Sequence, residues 1–252
     1  MATWTRDALS SERRRLSGNC WRVVESQHQI STLKLVDTLA EQARLEELLE
    51  ESKPGLPVDC TGLHYLLSTP FRYGAPYPRG SRFRRPGHTP GVFYASRTPE
   101  TAITETAFHR LLFFADSPGT RWPDNAGEFT AFSARYRTAA GLDLTAAPLD
   151  RDHAVWTHPT DYSACQALAG TARSAGIEVL RYASARDASG TNLALLTCRA
   201  FGSTSPVERQ AWRIHLGPSG VRAICSHPES RLEFGREAFA ADSRVAGLRW
   251  NR

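Results

Sequence analysis

The stretch GVFYASRTPETAITETAFHRLL, Gly91 to Leu112, constrains this chain more than any other. It reads as a short strand, a turn and then a helix. Thr98 is placed to cap the helix and Pro99 to fill its first position, where a missing N–H costs nothing. Glu105 lies in the middle, with Ala102 three residues before it and Phe108 three after. Residues three apart share a helix face, so a carboxylate is set along a largely apolar stripe, straight after a strand ending in Tyr94. A charge in that position needs either a partner or a purpose.

The rest of the chain supplies the other elements. CWRVVES reads as a first strand. STLKLVDTLAEQARLEELLEESKPGLP is a strong helical signal, with Leu35, Leu39, Leu45, Leu48 and Leu49 near the helical period and Lys53-Pro54-Gly55 as the stop. A shorter helix around GLHYLLST precedes an irregular, basic and aromatic run, PFRYGAPYPRGSRFRRPGHTPG, whose prolines and glycines forbid long regular structure. GEFTAFSARYR reads as a strand, LDLTAAPLDRDHAVWTHPT as a loop-rich connection, and DYSACQALAGTARSAG as a helix ended by Gly176. IEVLRYAS, NLALLTCRAF, QAWRIHL and VRAICS then read as strands. Helices lie mainly in the first two thirds and strands in the last. That order implies an α+β fold around a mixed or largely antiparallel sheet flanked by helices, not a doubly wound array. With no repeat or linker, residues 20–252 read as one domain carrying a helical insertion at about 31–57. Residues 1–19 read as a polar leader, mobile or loosely docked.

Composition narrows the function classes. No run approaches eighteen apolar residues, so no membrane span is expected, and the opening segment lacks the apolar core of a signal peptide. The five cysteines are scattered, without CxxC spacing, which favours free thiols, a reducing compartment and hence the cytoplasm. The formal charge of +5 suits an anionic ligand without naming one.

Common phosphate and hydrolase signatures are missing. GSRFRRPG has neither the lysine nor the spacing of a P-loop, and there is no GxGxxG after a strand, no HExxH and no GxSxG. No metal site is expected. A bound nucleotide would have to be held by side chains. Arg22, inside the apolar strand CWRVV, can tie backbone carbonyls together or clamp a phosphate with its fork. Tyr77, Arg79, Arg82, Phe83, Arg84 and Arg85 interleave basic and aromatic groups, either as a solvated loop or for stacking and phosphate contact. Glu105 is either a paired surface carboxylate or a poised group beside a cleft. Ser163 stands in a helix first turn, where free N–H groups favour anions, with Gln166 on the same face.

Taken in order, these positions resemble the RES-domain family, named for its Arg, Glu and Ser. The resemblance is carried by CWRVV with Arg22, GSRF with Arg82, FYASRTPETAITE from Tyr94 to Glu105, and DYSACQALA with Ser163 and Gln166. EVLRYASARDASGTNLALL, with Ser184, Arg186 and Asn192, completes it. The chain departs from the family pattern at Val23, where an aromatic residue is frequent, and in the length of its helical insertion.

The resemblance implies a fold similar to ADP-ribosyltransferase toxins and consumption of NAD+ as substrate, with no resident cofactor and with phosphate as an alternative co-substrate to water. It implies the toxin half of a toxin–antitoxin pair, partnered by an Xre-like antitoxin, with self-association left open. Arg22, Tyr94, Glu105 and Ser163 would be the catalytic group; Arg22, Arg82, Gln166, Ser184 and Arg186 would hold the dinucleotide. Loss of nicotinamide leaves oxocarbenium character on the ribose, which a carboxylate can stabilise. Two other readings stand beside this one: ADP-ribose transfer to a protein, and a nucleic-acid-binding module built on the basic aromatic loop. No RRM, KH or helix-turn-helix signature favours the last.

Overall fold

The computed structural model describes residues 4–26, 35–72, 80–87 and 90–252. In chain order the helices are α1 (Arg6–Ser11), α2 (Leu39–Glu51), α3 (Tyr65–Arg72), α4 (Pro99–Asp116), α5 (His153–Trp156), α6 (Ser163–Ser174) and α7 (Ser243–Ala246). The strands are β1 (Arg14–Glu25), β2 (Phe93–Ser96), β3 (Gly127–Asp143), β4 (Val179–Ala183), β5 (Thr191–Leu195), β6 (Glu208–Gly217), β7 (Gly220–Ser226) and β8 (Glu229–Gly235).

Among the described residues the strands form one sheet in the order β1-β2-β5-β4-β3-β6-β7-β8, and β1 also pairs with β3. The extra pairing closes β1, β2, β5, β4 and β3 into a ring, from which β6 to β8 extend as an antiparallel meander. β3–β4 is the parallel contact, so the sheet is mixed and the α+β expectation holds. β3 can serve both regions because it is 17 residues long: Gly127 to Ser133 pair with β6, Phe129 to Gly141 pair with β1, and its last three residues pair with β4.

α4 forms as its sequence dictates. The Thr98 hydroxyl accepts from the Thr101 N–H at 3.2 Å, and Pro99 opens the first turn. Its buried stripe, including Ala102, Ile103, Ala107, Phe108, Leu111 and Phe114, packs on Trp21, Phe129, Trp212 and Ile214. A second core lies between α6 and the strands β2, β4 and β5, built from Leu168, Ala172, Leu180, Ala194 and the edge of Tyr94. A third covers the other sheet face, around Phe93, Phe132, Leu193 and Leu195.

Two expectations change. Residues 4–19 are not a loose leader: Thr5 caps α1, Leu9 and Leu16 are buried, and the Trp4 indole donates to Asp152 at 2.8 Å. The polar sequence hides this because single buried leucines anchor a surface helix without a hydrophobic run. Conversely, α2 has a full capping box at Thr38 and Glu41 but buries no residue; Leu39, Leu48 and Leu49 stay exposed. Residues 31–34 of that expected insertion lie outside the described residues.

The cysteines bring a third correction. Cys60 and Cys198 form a disulfide, their Cα atoms 5.2 Å apart across 138 residues of sequence. They meet because the turn at Val58–Cys60 packs on the turn at Cys198–Ala200, a proximity that no spacing rule reveals. Cys20, Cys165 and Cys225 are free and buried. With one pair bonded, cysteine usage no longer argues for a reducing compartment. Replacing both Cys60 and Cys198 by Ser is expected to lower stability by roughly 2–4 kcal/mol, because the crosslink restricts the unfolded chain. Thermal melts with and without reductant check this. No helix among the described residues is long and apolar enough to cross a membrane.

Candidate functional site

Glu105 projects from α4 toward the ends of β4 and β5. Its Oε1 accepts two hydrogen bonds, from the Ser184 hydroxyl and from the Asn192 amide, each at 2.6 Å. Both bonds fall on one oxygen; among the described residues nothing is bonded to Oε2. The supports are themselves fixed. Asn192 Oδ1 accepts from the Ser96 hydroxyl at 2.7 Å, and Ser184 Oγ accepts from the N–H groups of Arg186 and Asp187 at 3.0 and 3.1 Å. Ser96, Ser184 and Asn192 are all buried. A half-buried carboxylate is therefore locked in direction by its neighbours, with one oxygen available.

The second wall is the turn 80–84. Gly80 enters it at φ +63°, and a Cβ there would strike the Arg84 carbonyl. Ser81 and Arg84 then exchange backbone bonds at 2.8 and 3.0 Å. Tyr94 pins this turn: its hydroxyl accepts from the Phe83 N–H at 2.9 Å and shares a 2.8 Å bond with the Ser81 hydroxyl. Burial pushes the Tyr94 phenol above its usual pKa, with those bonds and nearby arginines opposing. Gln166 braces the turn from α6, donating to the Ser81 and Arg84 carbonyls at 3.1 and 3.2 Å. Arg82 is thereby held over the Tyr162 ring, 4.7 Å from its centre, and donates to the carbonyls of Trp156 and His158. Phe83 and Arg84 are buried, so the described part of this basic run is not the open strip that single-stranded nucleic acid requires. Tyr77 and Arg79 lie outside the described residues.

Arg186, Ser184, Ser163 and Arg22, all expected in the site, have other engagements. Arg186 was expected to hold the dinucleotide; instead its guanidinium lies 3.8 Å from the centre of the Phe108 ring, donates to the Pro159 carbonyl and pairs with Asp242 at 2.6 Å. Only 5% of that side chain is exposed, and a cation so thoroughly used is a structural tie. Ser184 orients Glu105 rather than facing phosphates. Ser163 is exposed, but the anion-attracting first turn of α6 is already served by Asp161, whose Oδ1 accepts from the Ser163 N–H at 2.9 Å. The hydroxyl of Ser163 also bonds Asp161 and helps hold its carboxyl below the usual range.

Arg22 departs for a geometric reason. Trp21 pairs with Ser96 across β1 and β2, and directly opposed residues share a face. Trp21 packs on α4 and Ser96 joins the Glu105 network, so Arg22, the next residue, projects from the other face. Its guanidinium lies over Phe93, 5.2 Å from the ring centre, and donates to the Tyr94 carbonyl at 2.8 Å. The carbonyl-tying role is the one these contacts express. Cys20, on the same face, has its thiol pushed up to about 12 by burial, against the Ala134 carbonyl bond and the charge of Arg22.

Sequence reading passed over Tyr182, Asp242 and Arg244. Tyr182 is buried on β4 opposite Asn192 and meets Phe83 edge-on at 4.8 Å. The Asp242–Arg244 pair reaches Pro159 and Tyr162 from the C-terminal segment. Tyr182 alternates with Leu180 on one strand face, a signal legible as core but not as site; nothing in the sequence connects Asp242 to Arg186.

A family model described as the RES domain matches residues 56–217. The chain belongs to the RES domain family. The matched stretch includes Arg82, Tyr94, Glu105, Ser163, Gln166, Ser184 and Arg186, and leaves Arg22 outside it. No curated protein matches the sequence. Among solved structures, this RES protein is similar to a chain of the crystal structure of the M. tuberculosis MbcT-MbcA toxin-antitoxin complex, with 13% identity and a TM-score of 0.46, covering 81% of this chain and 89% of that one.

Proposed function

We propose that this RES domain cleaves the nicotinamide–ribose bond of NAD+, on a fold of the ADP-ribosyltransferase kind, as the toxin half of a toxin–antitoxin pair with an Xre-like inhibitor. The observation that carries the chemistry is the state of Glu105: one carboxylate oxygen held by Ser184 and Asn192, the other unbonded among the described residues. A carboxylate oriented in advance stabilises positive charge as it develops, without reorganising at the moment of reaction. Departure of nicotinamide generates such charge on the ribose, and the leaving group is a neutral amide that needs no general acid. Water attack then gives ADP-ribose and a proton; phosphate attack gives ADP-ribose phosphate. Arg82, stacked on Tyr162, is the cation on this side of the sheet suited to the diphosphate. Tyr94 and Gln166 act by holding its turn. The toxin assignment and the antitoxin partner rest on family membership.

The test is incubation of the pure protein with NAD+, with and without phosphate, following products by mass. Nicotinamide release with ADP-ribose or its phosphate is expected; NAD+ left intact overturns the reading, and ADP-ribose attached to protein redirects it to transfer. Replacing Ser184 by Ala removes one of the two bonds on Glu105 Oε1. It is expected to slow nicotinamide release about tenfold, in line with loss of one charge-assisted hydrogen bond, with little change in KM.

A further inference from the structure

Tyr182 carries an unexplained polar group. The residue is 5% exposed, yet among the described residues its hydroxyl has no hydrogen-bond partner. Buried polar groups are nearly always bonded, and one left without a partner costs free energy that something must justify.

Its surroundings supply the justification. Tyr182 packs in one cluster with Phe83 of the 80–84 turn, Tyr94 of β2 and Cys165 of α6, and the charges of Glu105 on α4 and Arg82 in that turn reach its phenol. Four elements of the site converge there. The register puts Tyr182 opposite Asn192, on the strand face that also supports Glu105. The phenol therefore stands among a carboxylate suited to a sugar and a guanidinium suited to a diphosphate. In a dinucleotide those two groups are adjacent, and the ribose carries its 2- and 3-hydroxyls on the ring beside the reacting carbon.

We infer that Tyr182 is a substrate-contacting residue, whose hydroxyl donates a hydrogen bond to a hydroxyl oxygen of the nicotinamide ribose. This rests on the NAD+ reading above. Burial, reinforced by the nearby Glu105 carboxylate, raises the phenol well above its ordinary pKa. The group thus stays protonated at neutral pH and acts as a donor, not as a base. A site built to bond a substrate hydroxyl rejects analogues that lack it.

The experiment compares wild type and Tyr182→Phe with NAD+ and with two analogues lacking the 2- or the 3-hydroxyl of the nicotinamide ribose. Phe preserves the packing on Phe83, so an unchanged thermal melt is expected. kcat/KM for NAD+ should fall about 10- to 100-fold, the range for losing a bond to a buried partner. Wild type should discriminate against one deoxy analogue by a similar factor, and the variant should lose that discrimination. Active wild type with an equally active variant overturns this proposal alone. So does a wild type that treats both analogues like NAD+, a result that needs no variant to fold. Wild type that leaves NAD+ intact overturns the parent reading, and this one with it.

Discussion

Replacing Glu105 by Gln is expected to reduce nicotinamide release from NAD+ by about 100- to 1,000-fold, the usual loss when a preorganised electrostatic group is removed from a site. The substitution is nearly isosteric. The Gln carbonyl oxygen can still accept from the Ser184 hydroxyl and the Asn192 amide, which both donate to Glu105 Oε1. What disappears is the negative charge. Melting temperature should therefore stay close to wild type while kcat collapses and KM changes little, because the charge matters most once oxocarbenium character has developed. Steady-state kinetics by chromatography of nicotinamide, with a thermal melt on the same sample, separate the two effects. Unaltered turnover would remove Glu105 from the chemistry.

The second large effect is on stability and comes from Asp242. Its carboxylate is 1% exposed and is bonded by Arg186 at 2.6 Å and by Arg244 at 2.7 Å, with the Arg244 N–H on its other oxygen at 2.9 Å. Asp242→Ala leaves the Arg186 guanidinium buried against Phe108 without its counter-ion, and should cost roughly 3–5 kcal/mol. Turnover should suffer as well, since Phe108 shares α4 with Glu105 and the Arg186 N–H supports Ser184. The pH dependence follows from the direction of the shift. Burial raises the Asp242 carboxyl, but the bonds from Arg244 and the charges of Arg186 and Arg244 outweigh it and lower the folded-state pKa. A lowered folded pKa contributes stability above the unfolded value, lost as pH falls through the folded one. The gap in melting temperature between wild type and Asp242→Ala should therefore be full at neutral pH and narrow below about pH 4. A gap that persists unchanged into acid would show that the pair is not what Asp242 contributes.

Local elements were legible because local rules govern them. Thr98 and Pro99 start α4 as capping preference requires, and Ala102 and Phe108 are buried on either side of Glu105. The alternation in GEFTAFSARYR announces a strand, though not one that runs on to Asp143 and serves three partners. β8 and α7 were passed over: ESRLEFG is half charged and exposed on alternate residues, and a four-residue helix carries too little period to detect. Sequence marked Arg186 and Ser184, but their contacts with Asp242, Phe108 and Glu105 lay beyond it, because a residue type announces a capability and its partners choose the use.

By itself the sequence determined the α+β class, the strand–turn–helix that carries Glu105, the irregular basic run that holds Arg82, and the family. These depend on spacings of a few residues, where backbone geometry leaves few alternatives. Tertiary structure alone decided that Ser184 and Asn192 aim the carboxylate, that Asp242 claims Arg186, that Arg22 projects from the opposite strand face, and that Cys60 finds Cys198. Each of these joins residues dozens of positions apart. Their meeting depends on strand register and on which face a side chain takes, and a shift of one residue would reverse that face.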